Sequence, residues 1–373
     1  MKIILFFTYG ISLFDWKNTG LLNREVKFYE ELYKKYNISV TFVTFGDNTD
    51  LKIVENKEFI KVVPLYSLIK YDNNKFIRLI RSLVCYLKLS QIINEADVLK
   101  TNQLLGSWIA IFSKIKYKKP LIVRTGYDLF TFSRKNKKAN YKVLIYKQLT
   151  KLALKFADIY LISSNTDKEF LSKLYPKYKN KLKVRFNWVE IIKNKEFELR
   201  HKHKIISVGR LEKQKNYELL INKLEDSTFV LDIYGDGTEK DNLFELSQHK
   251  NVKLNIFNPI SNEDLLIELT SYRVFISSST FEGNPKAILE AMAAGCVVIA
   301  KNNLNISEII ENNSNGILYE ENEKLSEIIE NILSNKDDWI RISNNAIKAI
   351  KENNLLENII KDEYSDLNKL YYS

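Results

Sequence analysis

Residues 274–300 read VFISSSTFEGNPKAILEAMAAGCVVIA. Residues 274–277 are a short apolar run ending in serines, the pattern of a buried strand leaving its sheet. Residues 278–283 are small and polar, which suits a loop. Asn284 is expected as a helix N-cap. Pro285 follows at the first helical position, where an N–H would be unpaired anyway. Ala287, Ile288, Ala291 and Met292 fall on one helical stripe, and Gly295 is a natural stop just past the helix. Residues 296–300 then read as a strand buried on both faces, as parallel sheets require.

Two carboxylates frame that helix: Glu282 in the loop before it and Glu290 eight residues on. Between them the free N–H groups of the first turn attract an anion. Carboxylates repel phosphate but accept hydrogen bonds from hydroxyls. A ligand with hydroxyls at both ends and phosphates between them fits, which is the make-up of a nucleotide sugar.

The same alternation extends outward. Strand 204–208 leads through Gly209 and Arg210 to helix 217–224, with Lys215 between them. Ligands bind at the carboxyl ends of strands in such sheets. A guanidinium and an ammonium there suit a diphosphate and its departure; a solvated surface pair is the plainer alternative. Strands are expected at 229–234 and 252–257, a helix at 262–271, and helices across 323–370. In the first half, strands are expected at 2–8, 38–45, 98–101, 121–124, 158–163 and 183–186. Helices are expected at 21–32, preceded by Gly20, and at 75–93, 104–113 and 166–174, with a loop at 9–19 and a linker at 187–203. Strands alternating with helices in both halves mean an α/β protein with two doubly wound domains.

Four segments in order and spacing resemble glycosyltransferase family 4, retaining enzymes of the GT-B fold. They are residues 281–295 (FEGNPKAILEAMAAG), 207–220 (SVGRLEKQKNYELL), 234–237 (YGDG) and 307–318 (SEIIENNSNGIL). The resemblance is specific over 204–320 and looser over the N-terminal half. It implies two Rossmann-like domains facing across a cleft. An acceptor-binding domain would span 1–190, joined by a C-terminal helix, about 357–373, that crosses back to it. A donor-binding domain would span 191–356. It also implies that Glu282 holds sugar hydroxyls and Glu290 the ribose hydroxyls. Gly209, Arg210, Lys215, Gly283, Asn284, Lys286 and Ala287 would complete the donor set. No side chain is placed as a nucleophile, so the leaving diphosphate would guide the acceptor hydroxyl onto the same face of the sugar. No cofactor or metal is expected, and no Asp-x-Asp occurs. One departure stands out: many relatives carry a histidine after the fourth strand, whereas this chain has only His201, His203 and His249. Arg124 to Asp128 occupies the corresponding place. Asp128 or Tyr127 would assist the acceptor there, or stabilise a turn.

Composition narrows the classes. The 373 residues suffice for two domains, and 45% hydrophobic with 28% charged residues is ordinary for a soluble protein. The net charge of +11 divides unevenly: residues 1–200 carry 38 Lys+Arg against 18 Asp+Glu, the remainder 19 against 28. A basic half calls for an anionic partner. The basic segment 133–155 interleaves lysines with aromatics, which suits nucleic acid or an anionic bilayer surface. Residues 75–93 form an amphipathic basic helix, expected to pack on the sheet with solvated charges or else to lie on a membrane. No stretch of about eighteen apolar residues exists, and residues 3–7 are too short for a signal peptide. Cys85 and Cys296 read as reduced structural thiols of a cytosolic protein. The expected partners are a nucleotide-sugar donor and a glycan or lipid-linked glycan acceptor, with peripheral attachment to the cytoplasmic face of an anionic membrane and no nucleic acid. A basic nucleic-acid-binding protein and a catalytically idle sugar-nucleotide-binding subunit are the alternatives. A nicotinamide dehydrogenase is disfavoured, since residues 9–20 lack Gly-x-Gly-x-x-Gly.

Overall fold

The computed structural model describes residues 1–126, 130, 133 and 140–372. Tyr127, Asp128 and the whole basic run from Arg134 to Lys138 therefore lie outside the described residues.

The chain divides into two compact units. Unit 1 comprises Met1–Ser163, Asp167–Arg185 and Ile359–Ser373; unit 2 comprises Ser164–Thr166 and Phe186–Asn358. Each is built on a parallel sheet covered by helices, the two-domain α/β class expected.

In unit 1 the strands are β1 (Lys2–Phe6), β2 (Ser39–Thr44), β3 (Ile60–Pro64), β4 (Val98–Thr101), β5 (Leu121–Arg124), β6 (Ile159–Ile162) and β7 (Leu182–Val184). Their order is β3-β2-β1-β4-β5-β6-β7, with β1 parallel to both β2 and β4. Strand β3 was not foreseen. It is an edge strand that ends in Pro64, which fits a position where one ladder of hydrogen bonds is missing. The loop expected at 9–19 contains a short helix, Leu13–Asn18, started by a capping box between Ser12 and Asp15. The helix expected at 104–113 begins at Ser107 and runs to Tyr117. Gly106, with φ +96°, precedes it, and a Cβ there would stand 2.8 Å from the Phe7 carbonyl oxygen. The long helix expected over 75–93 is broken into Lys75–Val84, a 3₁₀ turn Cys85–Leu87 and a helix Ser90–Glu95.

The last helix, Leu356–Tyr371, belongs from Ile359 onward to unit 1. It is anchored by charge. Lys100 on β4 pairs with Glu363, both almost fully buried, while Arg185 and Lys183 pair with Asp366. Tyr36 and Tyr364 stack with ring centroids 3.8 Å apart.

In unit 2 the strands are β8 (His201–Val208), β9 (Val230–Tyr234), β10 (Lys253–Phe257), β11 (Tyr272–Ser277), β12 (Val297–Lys301) and β13 (Ile317–Tyr319). Their order is β10-β9-β8-β11-β12-β13. The chain moves outward from β8 to β9 and β10, then returns to lay β11 on the other side of β8. The strand order thus reverses between β8 and β11, the position where doubly wound sheets open a crevice for ligands. The central residues of β11 and β12, Val274–Ile276 and Val297–Ala300, are apolar and at most 1% exposed, as a sheet covered on both faces demands.

Candidate functional site

The loops that leave β8 and β11 lie side by side at this switch point and are tied together. The Ser278 hydroxyl donates to the Lys215 and Asn216 carbonyls, shared at 2.8 Å each. The Thr280 N–H donates to the Gln214 carbonyl at 3.0 Å, and Gln214 Nε2 donates to the Phe281 carbonyl at 2.9 Å. A short 3₁₀ turn, Lys213–Lys215, ends at Asn216, which takes a left-handed conformation that Asn tolerates. The outcome is that Lys215 Nζ stands 2.6 Å from Glu282 Oε1, with side chains 20% and 11% exposed. The lysine is thereby held on the glutamate, while two ammonium protons and one carboxylate oxygen keep capacity for a ligand.

Arg210 follows Gly209 at the end of β8. Its side chain is exposed and forms no ion pair among the described residues. The loop after β9 crosses directly over this one. A Cβ on Gly235 would stand 2.0 Å from the Gly209 carbonyl oxygen, and one on Gly237 2.4 Å from that of Leu211. Residues 235–237 therefore owe their glycines to a close approach of two backbones, and any side chain there would push the Arg210 loop aside.

Glu290 lies in the helix Lys286–Ala293 and is only 3% exposed. Asn262 Nδ2 donates to its Oε1 at 2.7 Å, and Lys286 Nζ approaches the same oxygen at 3.3 Å, one helical turn back. A buried carboxylate needs such partners. Asn284 is not the N-cap. Pro285 holds that position without a side-chain bond, because the Asn284 side chain is engaged elsewhere. Its Oδ1 accepts from the Asn187 N–H, and Asn187 Nδ2 donates to the Asn284 carbonyl, each at 2.7 Å. The Gly283 carbonyl accepts from Asn305 Nδ2 at 3.2 Å, and Ala287 is half-buried in the first turn. Unit 2 thus carries Gly209, Arg210, Lys215, Glu282, Gly283, Asn284, Lys286, Ala287 and Glu290 on three neighbouring segments. Asp128 lies outside the described residues.

Sequence reasoning missed three supports of this arrangement: Gln214, Asn187 and Asn262. Each acts on a residue at least 28 positions away, so no local pattern marks it. The neighbouring chemistry is quiet. Burial pushes the Cys296 thiol up to about 12, and the same holds for Cys85, so neither is a ready nucleophile. Burial, reinforced by Glu268, pushes the Tyr234 phenol up to about 12, leaving a neutral ring stacked on Phe257 at 4.8 Å. Among the described residues, no group of three or more His, Cys, Asp or Glu side chains is placed to hold a metal ion.

Residues 189–349 match the model of the family described as glycosyl transferases group 1. An uncharacterized glycosyltransferase of Methanocaldococcus jannaschii is 26% identical over 212 residues, 52% of this chain and 52% of that protein. The chain thus spans about half the length of that relative. An Escherichia coli UDP-Gal:alpha-D-GlcNAc-diphosphoundecaprenol alpha-1,3-galactosyltransferase is 28% identical over 66% of this chain and 70% of its own. Among solved structures, the Anabaena HepE protein in complex with UDP-glucose superposes with a TM-score of 0.75 at 16% identity, covering 99% of this chain and 100% of that one. A likeness of that extent shows the fold, which is GT-B.

Proposed function

We propose that this protein is a retaining glycosyltransferase of the hexosyl class. It moves a sugar from a nucleoside diphosphate sugar to a hydroxyl of a glycan or lipid-linked glycan acceptor, in the making of a surface polysaccharide or glycoconjugate. The observation that carries this reading is the Lys215–Glu282 pair across the two loops at the strand-order reversal, with Arg210 on the first of these loops and the helix that buries Glu290 following the second. The group 1 family match over the same residues supports it, as do relatives that act on lipid-linked acceptors and a structural neighbour that binds UDP-glucose.

Arg210 and Lys215 hold the donor diphosphate and stabilise the charge that grows on it as the glycosidic bond breaks. Glu282, oriented by Lys215, accepts hydrogen bonds from the donor sugar, with the backbone of Gly283 to Ala287 beside it. Glu290 accepts from the ribose hydroxyls and is itself oriented by Asn262. The leaving diphosphate guides the acceptor hydroxyl onto the face it vacates, which retains the anomeric configuration. The acceptor binds on residues 1–190, where Asp128 assists its hydroxyl. No metal or other cofactor takes part, and the enzyme works at the cytoplasmic face of the membrane.

The test is a panel of nucleoside diphosphate sugars with release of the free nucleoside diphosphate as readout. At least one donor is expected to turn over, equally well with a chelator present, and proton NMR of the product should show the donor's anomeric configuration. Binding of the nucleoside diphosphate without turnover of any donor would identify an idle subunit instead. Tight RNA retention on filters without nucleotide binding would favour the nucleic-acid reading.

A further inference from the structure

We infer that the outer face of the helix Lys75–Val84 and its following turn is a docking surface for an anionic lipid bilayer. A helix lying on a sheet normally turns its apolar stripe inward. This one does the reverse. Its inward side is made of Leu79, Ser82 and Cys85, and the Ser82 hydroxyl accepts from Trp108 Nε1 at 3.0 Å. The stripe at helical spacing points out: Phe76 is 68% exposed, Ile80 47%, Val84 53% and Leu87 45%. Four large apolar side chains in a row on one surface helix mark a contact site rather than scattered exposure.

The charge around this ridge selects the partner. Residues 65–94 contain five Lys and Arg against the single acid Asp72. Lys75 and Lys88 are exposed at its two ends. Arg81 is steadied at the flank by Asp72 at 3.3 Å, and Arg78 by the Tyr71 hydroxyl at 2.9 Å. An apolar crest set among cations matches anionic headgroups lying over acyl chains; an apolar protein groove would match the crest and leave the cations uncompensated. A neighbouring helix carries a similar mixture. The helix Asn140–Phe156 also packs against Ser107–Tyr117, and it exposes Tyr141, Leu144 and Ile145 beside Lys142. No helix among the described residues is long and apolar enough to cross a membrane, so the insertion is shallow.

The surface does not depend on the transferase reading, and its test needs no turnover. The full-length protein is floated with phosphatidylglycerol-containing vesicles and with pure phosphatidylcholine vesicles. It should rise with the anionic vesicles at low salt and stay down with the neutral ones. Partition should fall by about tenfold or more in Lys75→Glu/Lys88→Glu and in Phe76→Ser/Ile80→Ser/Val84→Ser. A Phe76→Trp variant, which keeps a large apolar side chain, should be quenched by brominated lipids in anionic vesicles only. Equal behaviour with both vesicle types, or no quenching at Phe76→Trp, overturns the proposal. So does a wild-type dimer in sedimentation velocity that the triple serine variant converts to monomer without any vesicle binding, since a second copy would then be the occupant.

Discussion

Each unit of this molecule contains a lysine–glutamate pair that joins segments distant in sequence, and the two differ in almost every physical respect. In unit 1, Lys100 and Glu363 are each 1% exposed, with Arg185 and Asp366 packed beside them. In unit 2, the Lys215–Glu282 pair keeps part of its surface in water. Burial pulls the Lys100 ammonium below its ordinary range. Burial pushes the Glu363 carboxyl up, and the charges of Lys100 and Arg185 more than reverse this, leaving it below the usual carboxylate range. Lys100, Glu363, Arg185 and Asp366 are all buried, so the cluster holds the last helix on the unit 1 sheet and has no room for a ligand. The unit 2 pair sits at a switch point with hydrogen-bonding capacity to spare. The same two residue types fasten a fold in one place and keep free hydrogen-bonding capacity in the other; what separates the two settings is solvent access and topology.

The comparison is broken most forcefully by removing one buried partner. Lys100→Met takes the close partner from buried Glu363, leaving it the more distant Arg185 at 3.9 Å, and should lower stability by about 3 kcal/mol, read as a shift in the urea midpoint, with donor turnover per folded molecule unchanged. Acid should expose the same cluster in the wild type. Because Glu363 is depressed in the folded state, its contribution is present above the ordinary carboxylate range and is lost as pH falls through its lower folded value. Lys100, also lowered, adds stability with rising pH in the alkaline window, since there too the unfolded chain binds the proton more tightly. A urea midpoint that stays flat from neutral pH into strong acid would contradict the assignment.

The next effect belongs to the site. Arg210→Ala should lower kcat by about a hundredfold or more, as for other preorganised charge stabilisers, with no change in the urea midpoint, because its side chain is exposed and forms no ion pair among the described residues. A wild-type rate would remove Arg210 from the mechanism. Smaller still is Asn262→Ala, which frees the Glu290 carboxylate from one donor. Nucleoside diphosphate affinity should drop by about 0.5–1.5 kcal/mol, the worth of one such bond, and Asn262→Asp, which places a second carboxylate there, should do worse.

How much of this was legible in the chain follows from distance along it. Strand, loop, helix and strand over 274–300 sit within one window, so their order and the two glutamates were readable. The doubly wound class was readable too, from alternating apolar runs and helical stripes. The Lys100–Glu363 pair spans 263 positions, and nothing near either residue announces the other. Asn284 shows how a local rule loses: by sequence it is a good cap, but Asn187, 97 residues away, engages its side chain. The helix at 75–84 shows a different limit. Its apolar periodicity was plain, but periodicity cannot say which side faces the sheet, and here Ser82 and Cys85 fill the inner side. The glycines at 235 and 237 became intelligible only when a second loop was seen crossing them.

The division of labour between the two carboxylates is the centre of the account, and one titration reaches it most directly. Calorimetric binding of the nucleoside diphosphate is measured for the wild type, Glu290→Gln and Glu282→Ala. Loss of the Glu290 carboxylate should weaken binding by about 1.5–3 kcal/mol, the range for hydrogen bonds to a charged group. Glu282→Ala should bind the nucleotide as the wild type does, if the proposed partner of Glu282 is the sugar. Wild-type affinity in Glu290→Gln, or equal losses in both variants, would contradict the placement of ribose and sugar at opposite ends of this site.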